Sequence, residues 1–257
     1  RARLFPALVL DPPEAKFFVA CLEKSGYNPH DPIILSALTE DVALTRTRKR
    51  KKTSDLSGSG RAAAGARRRR RMGRIFARVL AETGFKRGRI LDAGCGSGEA
   101  AIELARAFPQ AFVVGVDLSE PLLAQAQAAV RKLDLFRRVS FRAEDVQALL
   151  FADSSFNVVV SVDRLHAVET PLAMLNELER VLAWQGTLLL GDVKRSWLTG
   201  LRPAFRTAFS LPEARKLWQE SRLSRWRSRF VQAFGWFTLG VVKAPPLEAD
   251  WKGLERL

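Results

Sequence analysis

From Arg89 onward, short apolar runs of strand length alternate with segments whose apolar positions recur at three- and four-residue spacing. The strand candidates are RILDAG, FVVGVD, VSFRAED, NVVVSV, TLLLGDV, RWRSRFVQAF and FTLGVVKA. Between them EAAIELARAF, PLLAQAQAAVRKL, TPLAMLNELERVL and PEARKLWQES read as helices. Such alternation predicts a mostly parallel sheet covered by helices. Only Gly235-Trp236 separates the last two strands, so they should pair as an antiparallel hairpin at the end of the sheet.

Upstream, IFARVLAETG places Ile75, Phe76, Val79 and Leu80 on one helical face, with Gly84 as a stop signal. Residues 1–45 hold two further helical stretches, EAKFFVACLEKSG and PIILSALTEDVAL, which predict a small appendage. The expected architecture is α/β: a Rossmann-like seven-stranded, mostly parallel sheet with a terminal antiparallel hairpin, plus a small helical N-terminal appendage. The catalytic-size domain should span residues 73–245 and a short tail residues 246–257.

Charge separates these parts. Between Arg46 and Arg74 stand thirteen basic residues against one acid, Asp55, so twelve of the fifteen net positive charges lie there and the rest of the chain is close to neutral. Two like-charged blocks around Ser, Gly and Ala predict a flexible basic linker over residues 46–72. At 257 residues and 47% hydrophobic, the chain can form one sizeable domain with an extension. No apolar run reaches the roughly 18 residues of a transmembrane helix. Cys21 and Cys95 supply neither a disulfide framework nor a cysteine-rich metal site, so no metal and a reducing, cytoplasmic setting are expected.

The first strand leads into ILDAGCGSGEAAIELA, where Gly94, Gly96 and Gly98 separate an apolar strand from an Ala-rich helix. Such a turn lets backbone approach a ligand. A dinucleotide fingerprint needs a glycine where this chain has Glu99, and an acid at a helix N-terminus repels phosphate while suiting a cation. Those features favour S-adenosyl-L-methionine (SAM), whose methionine end carries a sulfonium and an amine. Asp117 ends the second strand, 25 residues after Asp92, where an acid can accept from ribose hydroxyls. Asp145 ends the third strand and can accept from the adenine amine, with Leu118 and Val146 over the ring faces.

With these residues in order, DAGCGSG, DLS and EDVQALLFADSSFN, the chain resembles the class I SAM-dependent methyltransferases, in the style of the ubiquinone and menaquinone biosynthesis subgroup, over about Ile75 to Ala244. The resemblance implies that Asp92, Gly94 and Gly96 hold the methionine part, Asp117 the ribose and Asp145 the adenine. Leu150 and Asn157 depart from the subgroup's proline and aspartate, and SVDRLHAVE carries Leu165-His166-Ala167 where the subgroup often has Leu-His-His. His166 is the candidate general base for methyl transfer, with Asp163 orienting or replacing it.

The SVDRL segment lacks the motif that the resemblance associates with methylation of base amino groups, and neither cysteine stands where cytosine C5 chemistry needs one. A small-molecule or lipid-like acceptor is therefore expected. All six tryptophans lie from Trp184 onward and should wall the core or an acceptor cavity. The alternative reading is a methyltransferase-fold RNA-binding or assembly protein, or an RNA or ribosomal-protein methyltransferase, that grips RNA phosphates through residues 46–72.

Overall fold

The computed structural model describes residues 58–195, 207–233 and 236–244. The expected N-terminal appendage, the first part of the basic linker and the C-terminal tail lie outside the described residues.

The described chain begins with helix α1 (Gly58–Glu82). The elements then alternate as β1 (Arg87–Ala93), α2 (Glu99–Ala107), β2 (Gln110–Asp117), α3 (Glu120–Lys132), β3 (Val139–Ala143) and β4 (Phe156–Val162). After a 3-10 turn at Leu165–Ala167 come α4 (Pro171–Val181), β5 (Leu182–Val193), α5 (Leu211–Glu220), β6 (Arg227–Ala233) and β7 (Trp236–Val242). Every strand and helix expected from Arg89 onward is present, with β5 starting earlier, directly from the end of α4.

The sheet order is β3-β2-β1-β4-β5-β7-β6. β1 to β5 are parallel, and β7 pairs antiparallel with both β5 and β6. Chain order reverses beside β1, because β2 lies on one side of it and β4 on the other. In an open parallel sheet that reversal leaves a crevice at the carboxyl ends of the strands, which is where such folds bind ligands.

Two apolar layers cover the sheet. Met72, Phe76 and Leu80 of α1 pack with Leu104 of α2 and Ala126 of α3 on one face. Met174, Leu175 and Leu178 of α4 pack with Ala214 of α5 on the other. Burial of each such large side chain contributes roughly 1.5–3 kcal/mol.

The structure corrects the extent of the linker. From Gly58 its residues belong to α1, and Met72, the last residue assigned to it, is fully buried. Alanine and arginine are good helix formers, so the run continues the helix, with Arg68, Arg69 and Arg70 paired to Asp163, Glu99 and Glu103. Gly73 is required at the crossing: a Cβ there would stand 2.8 Å from the Ala100 Cα of α2. The folded domain therefore starts upstream of residue 73.

Candidate active site

The turn after β1 is shaped by backbone conformation. Gly94, Gly96 and Gly98 have φ of 76°, 55° and 79°, in the left-handed region where a side chain is costly. A Cβ on Gly94 would lie 2.6 Å from Arg164 Cγ. The loop's own amides are largely used: Gly94 and Cys95 donate to Val116 O, Gly98 to Cys95 O, and Gly96 to Asp117 Oδ2 at 2.9 Å.

Asp92 plays a different part from the one expected. Its side chain is buried and accepts from Ala101 N at 3.0 Å, tying β1 to the first turn of α2. Burial pushes its carboxyl up to about 7. It does not line the cleft; nor do Gly96 and Gly98, which act through the shape of the turn.

The cleft has a volume of about 320 Å³ and is lined by Gly94, Asp117, Leu118, Asp145, Val146 and Arg164, among others. Five of the residues singled out from the sequence therefore converge on one hollow. Asp117 is buried at the end of β2, where Oδ1 accepts from Ser119 N and Oδ2 from Gly96 N and Arg164 Nη2. Leu118 is exposed and Val146 buried, giving the hollow an apolar wall at each. Asp145 accepts from Gln147 N at 2.9 Å and from the Gln147 amide. Glu144 and Glu169 also line the hollow; they, not Asp92, join Asp117 and Asp145 as its acids.

Beyond Arg164 lies a second group. Asp163 follows β4 with φ of 55°, its amide donating to Gly191 O of β5. This junction brings His166 to Asp192, the penultimate residue of β5. His166 Nδ1 and Asp192 Oδ1 are 2.5 Å apart, and Asp192 Oδ2 accepts from His166 N. Asp192 is fully buried and also accepts from Val193 N at 2.6 Å. Burial alone would depress the His166 imidazole, but the hydrogen bond and charge of Asp192 outweigh it and raise its pKa above the ordinary value. Burial raises Asp163 as well, against the opposing pull of Arg68.

Sequence reasoning missed Asp192, although the cue that marks Asp117, an acid at the end of an apolar strand, is present in TLLLGDV. It also missed the arginines of α1. Arg68 Nε donates to Asp163 Oδ2 at 2.5 Å, and Arg69 Nε to Glu99 Oε2 at 2.9 Å. Ser97 adds a 2.6 Å hydrogen bond to Glu99. Burial would raise the Glu99 carboxyl, but the bonds from Arg69 and Ser97 prevail and lower it. Of the two roles expected for the tryptophans, the core one is seen: Trp218 and Trp226 pack against the apolar layer under α4 and α5, whereas Trp184 is exposed, packed edge-to-face with Trp226, and no described tryptophan lines the cleft.

The family model for a methyltransferase domain matches residues 85–227, more than half of the chain. The chain belongs to this methyltransferase family. It is 38% identical over 104 residues to 27-O-demethylrifamycin SV methyltransferase of Amycolatopsis mediterranei, covering 40% of this chain and 38% of that protein. It is 35% identical over 108 residues to a demethylmenaquinone methyltransferase of Roseiflexus castenholzii, covering 42% and 44% respectively. The match thus spans about two fifths of the length of these relatives. The crystal structure of a SAM-dependent methyltransferase from Aquifex aeolicus superposes with a TM-score of 0.56 at 23% identity, covering 65% of this chain and 88% of that one, which establishes the shared fold.

This methyltransferase domain is of class I, and its cofactor is SAM. The residues present fit that cofactor. The crevice combines a side-chain-free turn at Gly94, a carboxylate at the end of β2 and an apolar hollow at Leu118 and Val146. Asp117 has about four lone-pair directions; Gly96 N, Ser119 N and Arg164 Nη2 hold three of them, which leaves one for a ligand hydroxyl.

Proposed function

We propose that the protein transfers the methyl group of SAM to a hydroxyl of a small-molecule or lipid-like acceptor, with His166 as general base and Asp192 as the residue that positions it. Asp117, Leu118, Asp145 and Val146 would hold the adenosyl part, and Gly94, Gly96 and Gly98 would shape the turn over which it lies. When bound, SAM supplies an activated methyl on a sulfonium.

The His166–Asp192 pair is the observation that carries this reading. Asp192 holds the Nδ1 proton toward itself, which leaves Nε2 as the basic nitrogen, and no described residue hydrogen-bonds to Nε2. An imidazole oriented in this way can take the proton of an attacking hydroxyl. Because Asp192 strengthens the base, more of it is protonated near neutrality, so the rate should climb as pH rises through the raised pKa. Relatives named for demethylrifamycin and demethylmenaquinone support a small-molecule acceptor. The arginines give less support to an RNA grip than the sequence did: Arg68, Arg69, Arg70 and Arg74 pair with Asp163, Glu99 and Glu103.

The test is calorimetry with SAM and S-adenosylhomocysteine, followed by transfer of labelled methyl to a panel of phenols, hydroxyquinones and sugar alcohols. Micromolar cofactor binding and labelling of a hydroxyl that His166→Ala abolishes are expected. Cofactor binding with labelling that His166→Ala leaves unchanged would remove the base from the mechanism.

A further inference from the structure

We propose that Arg164 selects an anionic acceptor: its guanidinium, paired with Asp117 across the floor of the cleft, is exchanged there for the cofactor's ribose and then takes an acidic group that the acceptor carries beside its reacting hydroxyl. This rests on the SAM reading above and narrows the acceptor class.

The donors on Asp117 require the exchange. Gly96 N, Ser119 N and Arg164 Nη2 already donate to it, so one of its roughly four directions is left. A ribose presents two neighbouring hydroxyls and needs two. Gly96 N and Ser119 N are backbone amides, fixed by the glycine turn and by the entry to α3, and cannot withdraw. Arg164 is a side chain on a flexible stem, so it is the donor that yields.

Space points the same way. A Cβ on Gly94 would stand 2.6 Å from Arg164 Cγ and 2.9 Å from Arg164 Cβ, so the arginine stem covers the turn over which the adenosyl part would lie. Both residues line the cleft. The seat is also incomplete: Arg164 Nε is buried without a hydrogen-bond partner among the described residues. A buried donor left unpaired is costly, which lowers the cost of moving the guanidinium elsewhere.

A guanidinium keeps its charge at any working pH, and in a partly buried site it needs an anion. Arg164 caps the 3-10 turn Leu165–Ala167, two residues before His166, so a side chain that leaves Asp117 stays between the cofactor and the base. The carboxylates on that side are engaged, Asp192 by His166 and Val193 N, and Asp163 by Arg68. Across the cleft, Asp145 accepts from Gln147 and Glu144 from Leu150 N. Glu169 is exposed, where an ion pair contributes little. The strongest partner left for Arg164 is an anion on the acceptor, held where its hydroxyl can meet His166. Cofactor and acceptor affinities are then coupled, because the first ligand releases the group that holds the second.

The probes are S-adenosylhomocysteine and 5′-methylthioadenosine, which both carry the ribose, with 2-hydroxybenzoate as an anionic hydroxyl compound and 2-hydroxybenzamide as its neutral counterpart. Calorimetry on the full chain should show Arg164→Ala binding both nucleosides roughly 10-fold more tightly than the parent, the equivalent of one hydrogen bond no longer broken. Saturating the parent with S-adenosylhomocysteine should strengthen 2-hydroxybenzoate roughly 10-fold, and the reverse titration should return the same factor. 2-Hydroxybenzamide should show no coupling. Arg164→Ala should lose the coupling, as should Arg164→Met, which keeps the stem without the charge and serves as the second measurement should the alanine variant unfold.

Nucleoside affinities that are unchanged or weaker in both variants would overturn the exchange at Asp117. A parent in which 2-hydroxybenzoate fails to bind or binds independently of S-adenosylhomocysteine, equal coupling for the neutral amide, or coupling that survives both substitutions would overturn the assignment of Arg164 to an acceptor anion. Failure of the parent to bind either nucleoside would instead count against the SAM reading itself.

Discussion

Replacing Asp192 with Asn separates the role of its charge from that of its shape. In the parent the carboxylate accepts three hydrogen bonds, from His166 Nδ1 at 2.5 Å, His166 N at 3.1 Å and Val193 N at 2.6 Å, with no exposure to solvent. Asparagine retains one acceptor oxygen, so its NH₂ must face one of these donors. Loss of a hydrogen bond to a charged group costs about 1.5–3 kcal/mol, equivalent to a fall in Tm of roughly 4–10 °C for a domain of this size.

That loss should depend on pH with a definite sign. Asp192 raises the folded-state pKa of His166 above its unfolded value, so the pair's stabilisation is fully present below about pH 6.5 and disappears as pH rises through the raised value. The deficit of the variant should accordingly be larger at about pH 5.5 than at about pH 9. The chain has two histidines, His30 and His166. An imidazole NMR titration therefore reports His166 without any acceptor, assigned with His166→Gln. The parent should titrate above the ordinary imidazole value and Asp192→Asn lower than the parent, because burial is then opposed only by the charge of Asp163, itself offset by Arg68. A His166 resonance whose midpoint is the same in both proteins would refute the coupling, and with it the assignment of Asp192 as the positioning residue.

Three further substitutions probe the cofactor cleft and the turn beneath it. Asp117→Ala removes the carboxylate expected to meet the ribose, and calorimetry should show S-adenosylhomocysteine and 5′-methylthioadenosine weakened together, roughly 10- to 100-fold; unchanged affinity for both would take Asp117 out of the site. Asp92→Asn keeps an acceptor for Ala101 N while removing a carboxyl that burial raises to about 7. Since a raised carboxyl destabilises the fold as pH climbs from its unfolded value, the variant should gain stability relative to the parent between about pH 4 and pH 7, and a pH-independent difference in melting temperature would contradict this. Gly94→Ala forces a side chain into φ of 76° and against Arg164 Cγ at 2.6 Å. It should cost about 1–3 kcal/mol and weaken S-adenosylhomocysteine, so a variant matching the parent in both measurements would show the turn to be permissive.

Much of the cleft is legible in the linear chain. Gly94, Asp117, Leu118, Asp145 and Val146 were found because parallel strands are short apolar runs and their carboxyl ends are marked by small or acidic residues. The His166–Asp192 pair was legible by half: His166 stood out as a titratable group in a loop, whereas Asp192, 26 residues on, meets it only because β4 and β5 are neighbours. Asp92 misled in the opposite direction. Its place in the motif suggests ligand contact, yet its carboxylate is turned to Ala101 N. Arg68 and Arg69 were hidden for a physical reason as well. A run of like charges is unfavourable by itself, and the acids that neutralise it, Glu99, Glu103 and Asp163, are distant in sequence.

The order of local elements, the glycine turn and the acids at strand ends are properties of short windows, so the linear chain determined them: periodicity, turn propensity and motif spacing act over a few residues. Which strands became neighbours, which arginine met which acid, and whether a carboxylate faced the hollow or the core were decided only in three dimensions. Those outcomes depend on charge neutralisation and burial between segments far apart in the sequence, and no local pattern encodes them.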